Sequence, residues 1–598
     1  MRELIASTES AVSQAEALFE QGRFDEALIY YRELAAQTHV VDYEYDDWLR
    51  RLAKILQRLN RHKEAGYVHL YLHNFEQAMP VFEDGSPEKA RAWEIQGRWQ
   101  DAAEGYKAAG LAVHAAVCLE KAKEFTASTQ AWQGLSRHPS LRGNEYETAL
   151  VSFNLGMAAL HAGVDANLAR KSLVESQRKL EQVADLFESR GERERAFDCY
   201  HILLKLGKDS GQFENLAEGY LNCIRVLKTD NLKFYVLQYY EDFIELALEQ
   251  DELHAAASLF QEAADYASRS SLPYDQYYLA RAASTWAQCG EKYHRENAPV
   301  DMVENALTAS ISSYSSVGNY PKVKELFQRL SELDLPKKKR ERFLRIASEY
   351  EGQAEKKRVG PEFPEHLKHQ AYADIWFMDL VEWELGGDPY SVALSIIGDL
   401  RYPNGIRRRA LVIALVLENE SESERKVATL CQVAELLGEL QSYAALRPLE
   451  HLFDNGPAEV RRASIRALRF LFFKRSFFLL HRALEDSDQG VRDAALVALR
   501  GLHFPHAFNP LARIFHESTE QRVRLAALES IGRIQSIEAG EFLLMAIRQE
   551  PGEIQSAARQ ALSSFDNPDV IPIVRQHFDI ESDQSIKETL GGLLKSFS

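Results

Sequence analysis

Apolar side chains recur along this chain at helical spacing, and the clearest copies of the pattern lie between Pro457 and Phe597. Pro457-Ala458-Glu459-Val460-Arg461-Arg462-Ala463 aligns with Asp488-Gln489-Gly490-Val491-Arg492-Asp493-Ala494 and with Glu520-Gln521-Arg522-Val523-Arg524-Leu525-Ala526. Weaker copies begin at Pro551 and Asp583. The β-branched anchors Val460, Val491, Val523, Ile554 and Ile586 therefore recur about every 31 to 32 residues, a period that predicts stacked helical repeats. Units of this kind cannot bury their apolar faces alone, so the expected fold class is all-α, an α-solenoid.

The N-terminal third repeats in a different way. Gln21-Gly22-Arg23-Phe24-Asp25-Glu26-Ala27 reads as a junction in which Gly22 ends one helix and Ala27 lets the next approach closely. Ala78, Ala90, Ala102, Ala115 and Ser128 then fall about 12 to 13 residues apart, each followed by a bulky partner (Phe82, Trp93, Tyr106, Leu119, Trp132). That spacing predicts helices of about ten residues joined by tight turns. After Pro139 the amphipathic stretches lengthen, over 145–161 and 168–189, and similar junctions return at 196–200, 251–260 and 318–327.

The Gly-x-aromatic-x-x-Ala junction with a later aromatic resembles the tetratricopeptide repeat, in degenerate form, over residues 10–345. The Val491-Arg492-Asp493-Ala494-Ala495-Leu496-Val497-Ala498-Leu499 unit resembles HEAT repeats of the phycobilisome-lyase type. That resemblance implies an arginine ladder, here Arg407, Arg461, Arg492 and Arg524, tying each repeat to a neighbouring turn through acids such as Asp454, Asp486 and Glu517. Gln555 and Lys587 depart from the ladder, as expected of a capping end. The expected organisation is short-helix repeats over 1–139, long-helix repeats over 140–349, a hinge over 350–370, and a HEAT domain of about seven helix pairs over 371–598.

Composition adds little to the fold and removes several functions. All but about one unit of the net charge of -18 falls before residue 400, so neither half reads as a general polyanion binder. The start, Met1-Arg2-Glu3-Leu4-Ile5, enters an amphipathic helix without an apolar signal-like core, and no run approaches a membrane span, so the expected compartment is the cytoplasm. Five cysteines lack CxxC spacing and read as small buried hydrophobes. The basic runs around Lys337 and Lys356 read as solvated helix faces.

No phosphate-cradling loop or nucleophile elbow is present, so no catalytic residue and no cofactor are assigned. His69 and His73 share a helix face without a third ligand. Glu362, Glu365, His366, His369 and Asp374 form the densest cluster of metal-ligand types, in a segment whose composition alone accounts for them. Only His516-Glu517 matches the His-Glu pairs that di-iron HEAT hydroxylases repeat, so that reading fails. For nucleic acid, Arg462, Arg466 and Arg469 start a basic stripe, but the matching positions in the next units are Asp493, Val497 and Arg500, then Leu525, Glu529 and Gly532. The stripe is not continued.

The most unusual composition is Arg469-Phe470-Leu471-Phe472-Phe473-Lys474-Arg475-Ser476-Phe477-Phe478-Leu479-Leu480, which crosses a helix–helix turn with five phenylalanines and three cations. Its bland reading is core. Its sharper reading is an exposed aromatic and cationic anchor for an acidic-aromatic partner segment, with Arg462, Arg466, Arg469, Phe473, Lys474, Arg475 and Phe477 as the candidate residues. The expected function is a non-enzymatic protein–protein interaction scaffold with two solenoid grooves, a subunit of a larger assembly, with self-association left open. The alternative is a HEAT-type modifying factor acting on a substrate protein through a metal or chromophore, and the third reading is a nucleic-acid-binding HEAT protein.

Overall fold

The computed structural model describes every residue except 1, 37–41, 142, 164, 230–231, 354–359, 365–386, 419–425 and 597–598. Its described residues form 32 α-helices, from Arg2–Glu20 to Gln584–Ser596, with short 3-10 turns and no strand. The fold is an all-α solenoid.

Four of the short helices have the expected length because a left-handed residue, His73, Gly97, Gly110 or Lys123, follows each one. His62–Tyr71, Trp99–Ala108 and Ala112–Lys121 have 10 residues each. At the end of Pro87–Ile95, Gly97 has φ +72°, its N–H donates to Glu94 O at 2.9 Å, and the Arg98 N–H donates to Trp93 O at 2.9 Å. This double closure is a Schellman turn, which satisfies carbonyls the helix end would otherwise orphan. Lys123 closes the Ala112–Lys121 helix in the same way at φ +62°, where a side chain is strained and glycine is not. Across the stack the small residues admit the aromatics: a Cβ on Gly105 would lie 2.9 Å from Ala90 Cβ, and Tyr106 and Trp132 are fully enclosed. The longer helices follow as Glu145–Ala162, Ala166–Ser189 and Arg193–Ser210.

The C-terminal half is two rows of helices. One row is Val427–Glu439, Ala458–Ala467, Gln489–Gly501, Gln521–Ile534, Gly552–Ser563 and Gln584–Ser596; the other is Leu446–Asn455, Ser476–Leu484, Phe508–Glu517, Ile537–Gln549 and Ile571–Ile580. All five periodic anchors are buried in the first row, which is the physical origin of the repeat. The arginine ladder exists with altered partners. Arg461 makes a bidentate pair with Asp486 at 2.9 Å. Arg524 reaches Glu550 at 2.6 Å, rather than Glu517, and donates to Phe515 O at 3.1 Å. Arg492 holds the carbonyls of Asp486 and Ser487 instead of an acid. Gln555, outside the arginine pattern, donates to Ile547 O at 2.8 Å, so an amide still closes the preceding helix end there.

The chain gathers into two compact units, residues 1–212 together with 376–598, and residues 213–375. These limits do not fall where helix length and repeat type divide the sequence, because compactness depends on which apolar faces meet. The second unit is a run of antiparallel helices from Phe213–Thr229 to Lys337–Glu349, with Val303, Leu307, Ile311, Val323, Leu326 and Leu330 in one of its cores. Its basic last helix faces solvent, with Lys339 paired to Glu304. Much of the expected hinge, 354–359 and 365–370, lies outside the described residues.

Candidate functional site

Within the first unit the C-terminal half, residues 389–598, packs against the first array, residues 1–212, along a seam of buried charge. At one end His62–Tyr71 and Pro87–Ile95 meet Pro389–Ile397 and Asn404–Glu418. The Lys63 ammonium lies 3.0 Å from both Glu88 and Glu418, and the Tyr67 hydroxyl lies 2.9 Å from Tyr390 Oη and from Glu418 Oε2. Tyr390 donates to Glu88. Burial works against ionisation of Glu88, yet the Tyr390 hydrogen bond and the Lys63 charge outweigh it and hold the carboxyl below its usual range. Burial pushes both tyrosines up, helped by the Tyr390 phenol and Glu88 at Tyr67 and by Glu88 at Tyr390. The first array and the C-terminal half thus share one network in which every member is hydrogen-bonded. A cleft of about 610 Å³ opens beside it, lined by Arg61, Lys63, Glu64, Phe82, Glu88 and Glu418 among others. Its cations are already paired with its carboxylates, Arg61 with Glu64 and Lys63 with Glu88 and Glu418.

Two arginines cross the seam to backbone. Arg407 donates to Tyr71 O at 2.6 Å and to Ile397 O at 3.0 Å, with its guanidinium 4.7 Å from the Tyr71 ring. Arg91 donates to Ser395 O. Arg407, the first rung of the expected ladder, is therefore spent on the first array.

At the other end the row Leu446–Asn455, Ser476–Leu484 and Phe508–Glu517 faces Glu145–Ala162 and Arg193–Ser210. The aromatic turn singled out in the sequence sits here. Lys474 lies 3.4 Å from the centre of the Phe197 ring. Arg475, 2% exposed, forks onto Glu450 with both bonds at 3.1 Å and donates to Tyr443 Oη, which itself donates to Asp198. Phe477 is fully enclosed. Arg447 pairs with Glu147 at 3.0 Å, and Arg513 pairs with Glu194. Burial pulls Arg513 down to about 10. His201 is enclosed beside Phe197, and burial, then Lys474 and His506, hold its pKa well below the ordinary value.

The candidate residues thus separate into two groups. Lys474, Arg475 and Phe477 are consumed inside the seam, and Phe473 packs edge-on against Tyr443 at 5.5 Å. Arg466 and Arg469 stand in solvent on the opposite row of helices, and Arg462 is half-buried, 3.5 Å from Asp488. The sequence reading omitted Phe472, the phenylalanine of the turn that stays exposed (49%). The helix breaks after Ala467 into a 3-10 turn, which shifts the facing of every residue after it, and periodicity carries no signal of that break.

Among the described residues no three His, Cys, Asp or Glu side chains converge as metal ligands. His69 is buried against Gln57 at 3.0 Å, and His73 stacks edge-on with Phe75. Glu362 is exposed, and Glu365, His366, His369 and Asp374 lie outside the described residues. No described helix is long and apolar enough to cross a membrane.

A family model of HEAT repeats matches residues 478–563. No curated protein sequence matches the chain. Among solved structures, a circular tandem repeat protein with novel repeat topology and enhanced subunit contact surfaces shares 15% identity, with 97% of this chain and 98% of that one covered and a TM-score of 0.12. The yeast protein Tom70 shares 11% identity, with 91% and 98% covered and a TM-score of 0.10. The matched HEAT segment covers three helices of the first row, the two that lie between them and most of Ser476–Leu484.

Proposed function

We propose that this chain is a non-enzymatic scaffold for protein–protein interaction, a cytoplasmic subunit that presents the free row of its HEAT half to a partner protein. One observation carries the reading. The seam uses the row Leu446–Asn455, Ser476–Leu484 and Phe508–Glu517, while the row Ala458–Ala467, Gln489–Gly501 and Gln521–Ile534 keeps Arg466, Arg469 and Val497 in solvent. A rigid surface of stacked helices docks a partner with little ordering cost of its own. The paired first array then serves as a brace that fixes the geometry of that surface. Five free cysteines, four of them buried, suit a reducing compartment.

Purification of the tagged full chain from its native cells, with subunit stoichiometry by mass spectrometry and with elemental analysis, tests the reading. A protein partner in fixed ratio is the expected result. A preparation that instead carries bound metal, a chromophore or nucleic acid and no partner contradicts it.

A further inference from the structure

The arginines of the HEAT half are nearly all engaged: Arg461 with Asp486, Arg475 with Glu450, Arg482 with Asp454, Arg513 with Glu194, Arg524 with Glu550 and Arg548 with Glu581. Arg466 and Arg469 differ. Neither has an ion-pair or hydrogen-bond partner for its side chain among the described residues, and Arg469 lies over the Phe470 ring at 4.5 Å. They begin a continuous line. A Cβ on Gly501 would sit 3.6 Å from Arg469 Cβ, which places the end of Gln489–Gly501 against Arg469. Arg533 donates to Arg500 O at 3.0 Å, which places the end of Gln521–Ile534 against the same helix. Arg466, Arg469, Arg500 and Arg533 thus run along the ends of three neighbouring helices, and Glu529, paired with Arg500 at 2.8 Å, stands among them. Val497 (58% exposed) stands one turn before Arg500 on the same helix, and Phe472 (49% exposed) follows Arg469 by three residues, its ring 6.0 Å from that of Phe504.

We propose that this line docks an acidic segment of a partner protein that carries apolar side chains among its carboxylates. The proposal rests on the scaffold reading and specifies its partner. The unpaired guanidinium groups of Arg466 and Arg469 present forks that match carboxylates, and charge complementarity of this kind steers association and rejects basic competitors. Val497 and Phe472 supply the apolar contact that lets such a site hold its partner after encounter. Helices packed roughly 8 to 10 Å apart make the line about 20 Å long, the reach of some six extended residues. A cation in the last helical turn also complements the helix dipole, and that accounts for Arg500 and Arg533. It does not account for Arg469, which lies beyond its helix, or for the exposure of Val497, one turn before Arg500, and of Phe472, three residues after Arg469. A nucleic-acid backbone is the poorer fit, because tracking phosphates needs an uninterrupted run of cations and Glu529, paired with Arg500, stands within this one.

Photocrosslinking in the full chain tests the proposal. Phe472 and Val497 are each replaced by p-benzoylphenylalanine in the native cells, with Ile29, equally exposed on the first array, as the control position. After irradiation the crosslinked peptides are sequenced by mass spectrometry. The expected result is that both positions capture the same segment, net negative and bearing apolar residues. Arg466→Glu with Arg469→Glu then lowers the yield at least tenfold, and Arg466→Gln with Arg469→Gln lowers it less, with the thermal midpoint unchanged in both. Capture no greater than at Ile29, capture of a neutral or basic segment or of nucleic acid, or a yield indifferent to charge reversal overturns it. If those failures occur while a stoichiometric partner still co-purifies, the scaffold reading stands and this surface falls. If no partner co-purifies, both fall.

Discussion

At the scale of single residues, the aromatic turn shows how a composition can be read correctly and its use missed. Three cations among five phenylalanines mark an unusual site in the sequence, but the partners of those cations are Glu450, 25 residues back, and the Phe197 ring, in another array. Local periodicity contains no information about such pairs. Arg475→Ala leaves the Glu450 carboxylate buried and uncompensated, a loss of about 3 to 5 kcal/mol. The expected readout is a clear fall in the urea midpoint of the first unit, whereas Arg466→Ala leaves it unchanged. Lys123 offers the opposite case, since its left-handed backbone is costly for any residue with a Cβ. Lys123→Gly is expected to raise the thermal midpoint, by about 0.5 to 1 kcal/mol of stability. His201 supplies a pH dependence. Its folded pKa is depressed, so the unfolded chain binds more protons below the ordinary value of 6.5, and its contribution is present above that pH and lost as pH falls. Acidification from pH 7.5 to 5.5 therefore lowers the thermal midpoint, by at most about 1.4 kcal/mol per pH unit for each such histidine. His201→Gln flattens the profile only in part, because His69, His73 and His516 are shifted in the same direction.

At the scale of elements, much was legible. The five buried β-branched anchors set a visible period, and left-handed turn residues set the length of the short helices. The arginine ladder was legible as a position and not as a partner list. What the position encodes is a donor aimed at the end of the preceding helix, and either an arginine at 524 or a glutamine at 555 supplies it. The stacking of the first row has its own sequence mark in Gly438. A Cβ there would lie 2.7 Å from the Ala467 carbonyl oxygen and 2.8 Å from its Cα, so backbone, not a movable side chain, stands in the way. Gly438→Ala is expected to push Val427–Glu439 off Ala458–Ala467 at a cost of about 1 to 3 kcal/mol, read as earlier hydrogen exchange in both helices.

At the scale of the whole molecule, sequence division and physical division differ. Helix length and repeat type change near residues 139 and 349, yet residues 1–212 pack with 376–598. Tyr67 and Glu88 lie at least 302 residues from Tyr390 and Glu418, yet the four meet in one hydrogen-bonded network. No repeat pattern announces that meeting, because each residue occupies an ordinary helical position in its own array. The consequence is an allocation of surfaces: one row of C-terminal helices is spent on the first array, and the other is the surface proposed for a partner. Arginine-selective modification with phenylglyoxal, quantified residue by residue on the native full chain, tests this allocation most directly. The account predicts rapid modification of Arg466 and Arg469, with Arg407, Arg475 and Arg513 protected until the chain unfolds. Modification of Arg475 and Arg513 at the rate of Arg466 would contradict it.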